Sequence, residues 1–325
     1  MSDSTISVNR GELSVLRRAI PFFQKYGLYV FLIILLIVAF SVSPKFFSPR
    51  NIQNLLTDGA PLGMAALGQT FVILTAGLDL SVGSLMSTVA VIATSIKPDN
   101  AMILPIFLIS ICFGALVGFV NGWLVTKRKV SPFLATLATM IVLQGIRFAY
   151  TKGAPLSGHL PPGFRVLGTG TLFSIPVNLV VLAFLILVFA ILLYRSSYGR
   201  KLYLVGGNPR AAFLSGIHSD RIIIAAYMIC AILASIAGLF LVGYVGSVDN
   251  WVGRGYELDS IAAVMMGGAS FKGGKGGIFG SIAGVLVLIV IYNLVLLLGF
   301  PIQAQLVVKG LVIILAASFY LTRSY

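Results

Sequence analysis

Gly77-Leu78-Asp79-Leu80-Ser81-Val82-Gly83-Ser84 places a carboxylate between two long apolar runs, and no Lys or Arg lies between Arg50 and Lys97 to pair with it. A charge at bilayer depth is costly and has a structural or functional reason. The glycines and serines around it end one helix and start the next. The stretch therefore reads as a break in the wall of a transport path. A simpler use accompanies that one: a side-chain oxygen of Asp79 or Ser81 caps the third helix by accepting a backbone N–H. Whether the break also lines the path stays open at this point. Freed backbone groups are tolerated at such depth only where protein or a water-filled cavity satisfies them.

Outward from this stretch, the chain looks like a membrane protein throughout. It has 325 residues, 58% hydrophobic and 10% charged, with mean hydropathy +1.02. Soluble chains carry about 25% charged residues. Segments 26–44, 55–76, 80–96, 103–126, 132–150, 173–194, 222–246, 258–271, 277–299 and 302–321 are apolar enough to read as spans, given that a crossing helix needs about 20 residues. The fold class is all-α and polytopic, with about ten transmembrane helices and broken or short segments near 77–84 and 258–277. The eighth segment is too short to cross alone, and extending it toward Trp251 takes in Arg254, Glu257 and Asp259. It reads as tilted, broken or re-entrant.

Arg17, Arg18, an apolar run and Ser41-Val42-Ser43 imitate a signal peptide, but the run from 26 to 42 exceeds the usual core of about 7–15 residues. A retained first helix is expected. Ten spans put both termini on one side. That side carries fifteen Lys and Arg, clustered at 10–25, 127–129, 195–221 and 272–275, against six on the other. The positive-inside rule makes the richer side cytoplasmic. The organisation is then a cytoplasmic tail (1–25), one transmembrane domain (26–321) with a cytoplasmic loop at 195–221, and a cytoplasmic end (322–325). The longest external connection, 152–172, holds Pro155, Pro161 and Pro162 and is expected to be rigid and poorly helical.

Several chemistries are excluded. The net charge of +14 is scattered between apolar runs, without the basic stripe and interleaved aromatics of a nucleic-acid surface; its use is orientation and contact with anionic lipid. Cys112 and Cys230 sit in apolar runs, and His159 and His218 lie far apart, so a metal site has nothing to build on. No cofactor is expected. Gly267-Gly268-Ala269-Ser270-Phe271-Lys272-Gly273-Gly274-Lys275-Gly276-Gly277 imitates a phosphate-binding loop, but Ala269 and Gly276 stand where that loop needs Gly and Ser or Thr. It reads as a flexible turn into the ninth span, whose Gly276, Gly280 and Gly284 recur at helical spacing. The two breaks, at 77–84 and 267–277, occupy corresponding parts of the two halves and hint at an internal repeat around a central path.

Gly114, Gly118 and Gly122 bare one face of the fourth span for close helix packing. Asn121 beside that face either hydrogen-bonds across helices or faces a polar path; the buried amide needs partners in both cases. Ser131 and Pro132 start the fifth span as N-cap and first residue. Gln144 and Arg147 share a face further along it, and Arg147 is expected to snorkel to the interface. Asp79, Ser81, Ser84, Asn121 and Gln144 are the candidates for the translocation path. In the cytoplasmic loop, Asn208 caps a short helix, Pro209 takes its first position and Gly216 ends it. Ala211, Ala212 and Ser215 are small enough for another surface to come close. The apolar face is short and poor in bulky anchors for lipid, so docking to a cytoplasmic partner is expected.

Together these motifs resemble the permease family of bacterial ATP-binding-cassette importers for simple sugars, of the ribose, xylose and galactose kind. The resemblance runs from about Phe46 to Ala317. It rests on residues 75–84, Asn121-Gly122 before Pro132-Phe133, the Gly-Asn-Pro-x-Ala-Ala-x-x-Ser-Gly-Ile loop, and Asp259-Ser260-Ile261-Ala262-Ala263 through Gly280. It implies an inner-membrane permease subunit that makes no bonds itself. It also implies a second permease chain, identical or related, a cytoplasmic ATP-binding subunit and a periplasmic sugar-binding protein. On the family's pattern, Gly207, Asn208, Pro209, Ala211, Ala212, Ser215, Gly216 and Ile217 form the segment that seats in the ATPase, and transport proceeds by alternating access. Two rivals stand beside it: an ion-coupled secondary transporter using Asp79, with Lys309 as counter-charge, and a structural subunit that moves nothing.

Overall fold

The computed structural model describes residues 10–157, 160–301, 303–308, 310, 311 and 314. Its helices are α1 (Arg10–Val42), α2 (Pro49–Leu74), α3 (Val82–Ser95), α4 (Ile103–Lys127), α5 (Pro132–Thr151), α6 (Pro162–Thr169), α7 (Val177–Tyr194), α8 (Ser197–Gly207), α9 (Pro209–Leu214), α10 (Ser219–Val245), α11 (Tyr256–Met266) and α12 (Ile278–Leu297). Helices α1–α5, α7 and α10–α12 fall on the first nine expected segments. Most of the tenth, with Lys309, and the chain's two extreme tails lie outside the described residues. Among the described residues, five helices are long and apolar enough to cross a membrane: α4, α5, α7, α10 and α12.

The helix with the longest unbroken buried run, α2, is not one of those five. Every residue from Gly59 to Leu74 is buried, because other helices surround it. A Cβ on Gly59 would meet Ile289 of α12 at 2.7 Å, one on Gly63 Leu182 of α7 at 2.7 Å, and one on Gly68 the Cys230 backbone of α10 at 2.8 Å. Packed against protein, α2 tolerates Gln69 and an internal proline. Pro61 has no N–H to give the Thr57 carbonyl four residues back, and Asn178 Nδ2 of α7 donates to that carbonyl instead, at 2.8 Å. The opposite case is α7: its 18-residue apolar window has mean hydropathy 2.9 and is only 22% buried, with Phe184, Leu187 and Ile191 turned outward. Outer faces of this kind suit acyl chains.

The glycine face of α4 packs as its spacing predicts. Gly114 meets Ala231 and Ser235 of α10, Gly118 meets Tyr227 and Met228, and Gly122 meets Ile224, all at or near backbone contact. Helix α1 joins the assembly at its C-terminal end, where Ala39, with Phe46 just beyond the helix, shares a small core with Leu55, Val290 and Leu294.

Among the helices that fall on expected spans, two are short. At about 1.5 Å per residue, α3 with 14 residues and α11 with 11 residues cannot cross alone, as expected for the eighth segment. The connection at 152–172 departs from expectation. It contains α6, because Pro162 occupies the opening turn, where a missing N–H costs nothing. Phe164 is fully buried there, stacked on Phe107 at 5.9 Å. A two-residue ladder, β1 (Leu156–Ser157) antiparallel to β2 (Ser247–Val248), fastens this connection to the one after α10.

Candidate functional site: two breaks and a candidate lever

The first break lies between α2 and α3. Ala76 takes a left-handed turn, with φ 60, and the chain then folds back on itself. Asp79 Oδ1 accepts from the Ser81 N–H at 2.9 Å and from Ser81 Oγ at 2.5 Å. Ser81 Oγ in turn accepts from Asn121 Nδ2 of α4 at 3.0 Å, and Asn121 Oδ1 accepts from Thr139 Oγ1 of α5 at 2.6 Å. One chain of side chains thus ties the break to two further helices. The backbone of the break is held as well: Tyr227 Oη donates to the Leu78 carbonyl at 3.3 Å.

Capping takes a different form from the one expected. Ser81 is the N-cap residue of α3 but makes no side-chain cap bond, and its φ −74, ψ −12 is helical. A capping side chain needs extended backbone to reach back to the second or third N–H; Ser81 spends its oxygen on Asp79 and Asn121 instead. Asp79 organises the turn that precedes the helix. For Asn121, the cross-helix hydrogen bond is the use the structure displays. Asp79, Ser81 and Asn121 have 0% exposure, so in this conformation they line no open path. Asp79 Oδ2 has no hydrogen-bond partner.

Ser84, on the first turn of α3, donates to the Met140 carbonyl at 2.9 Å. Gln144 is half-buried on α5 and stays outside this network. Arg147 does not snorkel. It is 3% exposed, and its Nη1 donates to the Ser84 carbonyl at 3.0 Å, to Ser84 Oγ at 3.3 Å and to Thr88 Oγ1 at 3.2 Å. Leu143, Arg147 and Thr151, four residues apart, form the buried stripe of α5. Periodicity places Arg147 on that stripe; only the neighbouring α3, with its bare Ser/Thr turn, supplies the acceptors.

The second break, at 267–277, is built from backbone. Gly268, Gly273, Gly274 and Gly276 all have positive φ. The Gly274 N–H donates to the Leu74 carbonyl, the last residue of α2, at 3.0 Å. The loop is closed by Ser270 N–H to Lys275 O at 3.0 Å and Gly273 N–H to Ser270 O at 2.8 Å. At its exit, Tyr194 Oη of α7 accepts from the Ile278 N–H at 3.0 Å. Gly280 and Gly284 press on the backbones of Gly267 and Ala263 of α11, whereas Gly276 faces Ala269 with φ +127. The expected three-glycine stripe is therefore two glycines long, since α12 begins only at Ile278.

The loop at 195–221 holds two helices where the sequence suggests one. Helix α8 is set by the apolar spacing of Tyr198, Leu202 and Val205 and capped by Ser196, whose Oγ accepts from the Gly199 N–H at 3.1 Å. Burial pushes the Tyr203 hydroxyl up to about 12, with a smaller contribution from Tyr194. It stays protonated and donates to the Gly276 carbonyl at 2.8 Å. Helix α9 follows after Asn208, whose Oδ1 accepts from the Ala211 N–H at 2.9 Å. Pro209 opens it and Gly216, with φ +72, lies just past its end.

Two expectations about α9 are corrected. Ala212 is 1% exposed and turned into the fold, so it presents nothing to a partner. The helix does carry bulky anchors: Phe213 is 75% and Leu214 78% exposed. Six residues make under two turns, so the face opposite Ala212 holds Phe213 and Leu214 outward. Gly207, Asn208, Pro209, Ala211, Ser215 and Gly216 are exposed beside them, and Ile217 is half-buried. The signal for Phe213 and Leu214 was present as two adjacent large apolar residues in a segment flanked by arginines, but which face they take depends on how α9 docks.

Comparison with known proteins adds the following. The family described as "Branched-chain amino acid transport system / permease component" matches residues 51–317, nearly the range of the resemblance drawn from motifs. The chain is 41% identical to the ribose import permease protein of Bacillus subtilis (strain 168), over 90% of this chain and 91% of that one. It is 38% identical to the ribose import permease protein of Escherichia coli (strain K12), over 88% and 90%. It is 32% identical to the galactose/methyl galactoside import permease protein of the same strain, over 92% and 94%. No solved structure matches the chain.

Proposed function

This chain belongs to the branched-chain amino acid transport system / permease component family, and from that premise we propose that it forms the path for a monosaccharide or a similar small sugar-like solute. It is a multi-pass inner-membrane permease subunit of an ATP-binding-cassette importer, not an enzyme, and ATP hydrolysis belongs to a separate subunit. The sugar reading rests on relatives 32–41% identical over about nine-tenths of the chain, which are named for ribose and galactose import. Nothing favours the ion-coupled alternative, and Asp79 is fully buried, with Oδ1 engaged by the Ser81 N–H and hydroxyl.

The observation that carries the finer reading is α9. A capped helix of six residues holds Phe213 and Leu214 out of the fold, on the side that carries fifteen of the basic residues. Lipid-facing helices here bury one face along their length; α9 offers a compact knob instead. It seats in the cytoplasmic ATP-binding subunit, both termini lie in the cytoplasm, and the permease pairs with a second copy or a related chain. A periplasmic binding protein delivers the solute to the opposite face. The helices rock about the pathway as the ATPase cycles, with the two breaks as the points of flexure.

The test is reconstitution of the permease with its ATP-binding subunit and binding protein in liposomes, followed by labelled ribose or galactose uptake. Uptake is expected to require ATP and to survive an ionophore. Uptake by the permease alone, or uptake abolished by the ionophore with ATP intact, defeats the reading. Phe213→Ser with Leu214→Ser is expected to abolish co-purification of the ATPase while leaving membrane insertion unchanged.

A further inference from the structure

The two breaks and the lever meet at one point, and the contact there is backbone on backbone. Gly206, near the C-terminus of α8, lies so close to the Leu74 carbonyl that a Cβ on it would overlap that oxygen, and the same Cβ would stand 2.8 Å from the Gly274 nitrogen. A Cβ on Gly273 would stand 2.7 Å from the Gly206 carbonyl and 2.9 Å from the Ala76 nitrogen. One on Gly274 would stand 2.5 Å from the Gly207 Cα. The Gly274 N–H to Leu74 carbonyl bond and the Tyr203 hydroxyl to Gly276 carbonyl bond pin the three segments together.

We propose that the glycine loop at 267–277 is the relay that carries movement of α9 into the break between α2 and α3, with Tyr203, Gly206 and Gly274 as its positioning residues. The proposal rests on the docking role of α9 given above and goes beyond it. Only Asn208 separates α8 from α9, so a partner that displaces α9 displaces the end of α8 with it. Leu202 and Val205 are buried, so α8 moves with its surroundings and does not swing free. Its end touches Leu74 directly and the glycine loop on the other side. Leu74 is followed within five residues by Asp79, the start of the hydrogen-bonded chain through Ser81 and Asn121 to Thr139. Packed interfaces rearrange between discrete states and do not deform continuously, so a small shift at such a contact is amplified. Glycine at Gly206 and Gly274 removes the side chains that would hold the three backbones apart.

The experiment uses the complete importer in proteoliposomes and reads solute moved per ATP hydrolysed. Tyr203→Phe deletes one hydroxyl and adds no volume; it is expected to lower that ratio about fivefold, the effect of one net hydrogen bond. Gly274→Ala, at φ +68, is expected to lower it at least about fivefold. Both variants should co-purify with the ATPase and hydrolyse ATP at the unmodified rate. Leu204→Ala, on the exposed face of the same helix, is expected to change nothing. A ratio unchanged in Tyr203→Phe overturns the proposal, and so does a parallel fall in hydrolysis and uptake, which marks a merely structural role. Failure of the docking role is distinct: it appears as retention of the ATPase by the Phe213→Ser, Leu214→Ser variant, whatever the ratio in Tyr203→Phe.

Discussion

The two breaks of this permease solve the same problem with opposite means. Between α2 and α3 the chain is turned by side chains: Asp79 gathers Ser81, and Ser81 gathers Asn121 and Thr139 from two other helices. Between α11 and α12 it is turned by glycines at positive φ, held by backbone bonds such as that from the Gly274 N–H to Leu74. The first break is specified by chemistry and the second by the absence of bulk. Sensitivity to substitution should divide accordingly. The first break will tolerate isosteric changes and fail when hydrogen-bonding groups are removed; the second will fail when atoms are added.

The largest effect expected on this comparison is Gly206→Ala, where the new methyl meets the Leu74 carbonyl and neither backbone can yield. The cost is about 3 kcal/mol, the upper end for overpacking, read as a fall in the unfolding midpoint in detergent. A midpoint unchanged would mean that the contact is looser than its geometry. Asp79→Ala comes next, at about 2 kcal/mol, because it strands the buried Ser81 N–H and hydroxyl. Thr139→Val keeps shape and removes the hydroxyl that donates to Asn121 and also lies 3.1 Å from the Ala135 carbonyl, costing about 1 kcal/mol. Asp79→Asn should be smallest, under about 1 kcal/mol, because the amide oxygen still accepts both bonds from Ser81. A loss as large as that of Asp79→Ala, in midpoint or in uptake, would place the role of Asp79 in its charge and break the contrast between the two sites.

Much of this was legible beforehand, and the reasons differ by residue. The α9 caps, Asn208 and Gly216, were readable because capping is a contract between residues three or four apart. The α4 glycines were readable because helical spacing puts them on one face whatever lies opposite. Arg147 was misread because snorkelling and burial share the same periodicity; the acceptors at Ser84 and Thr88 lie about sixty residues away in sequence. Ala212 was misread because a small residue suits a partner's surface and the fold's own interior equally well. Helix α8 was missed because the charged loop containing it reads as solvent-exposed, although its Leu202 and Val205 are buried.

The amino-acid sequence by itself determined that the chain lies in a membrane, about where its long apolar segments fall, and where the two breaks lie, since hydropathy and turn preference act within a few residues. Only the tertiary structure decided that the less apolar α2 occupies the centre while the greasier α7 faces outward, and that the two breaks touch each other through the end of α8. Those are choices among neighbours far apart along the chain, and burial is a property of the neighbours, not of the segment.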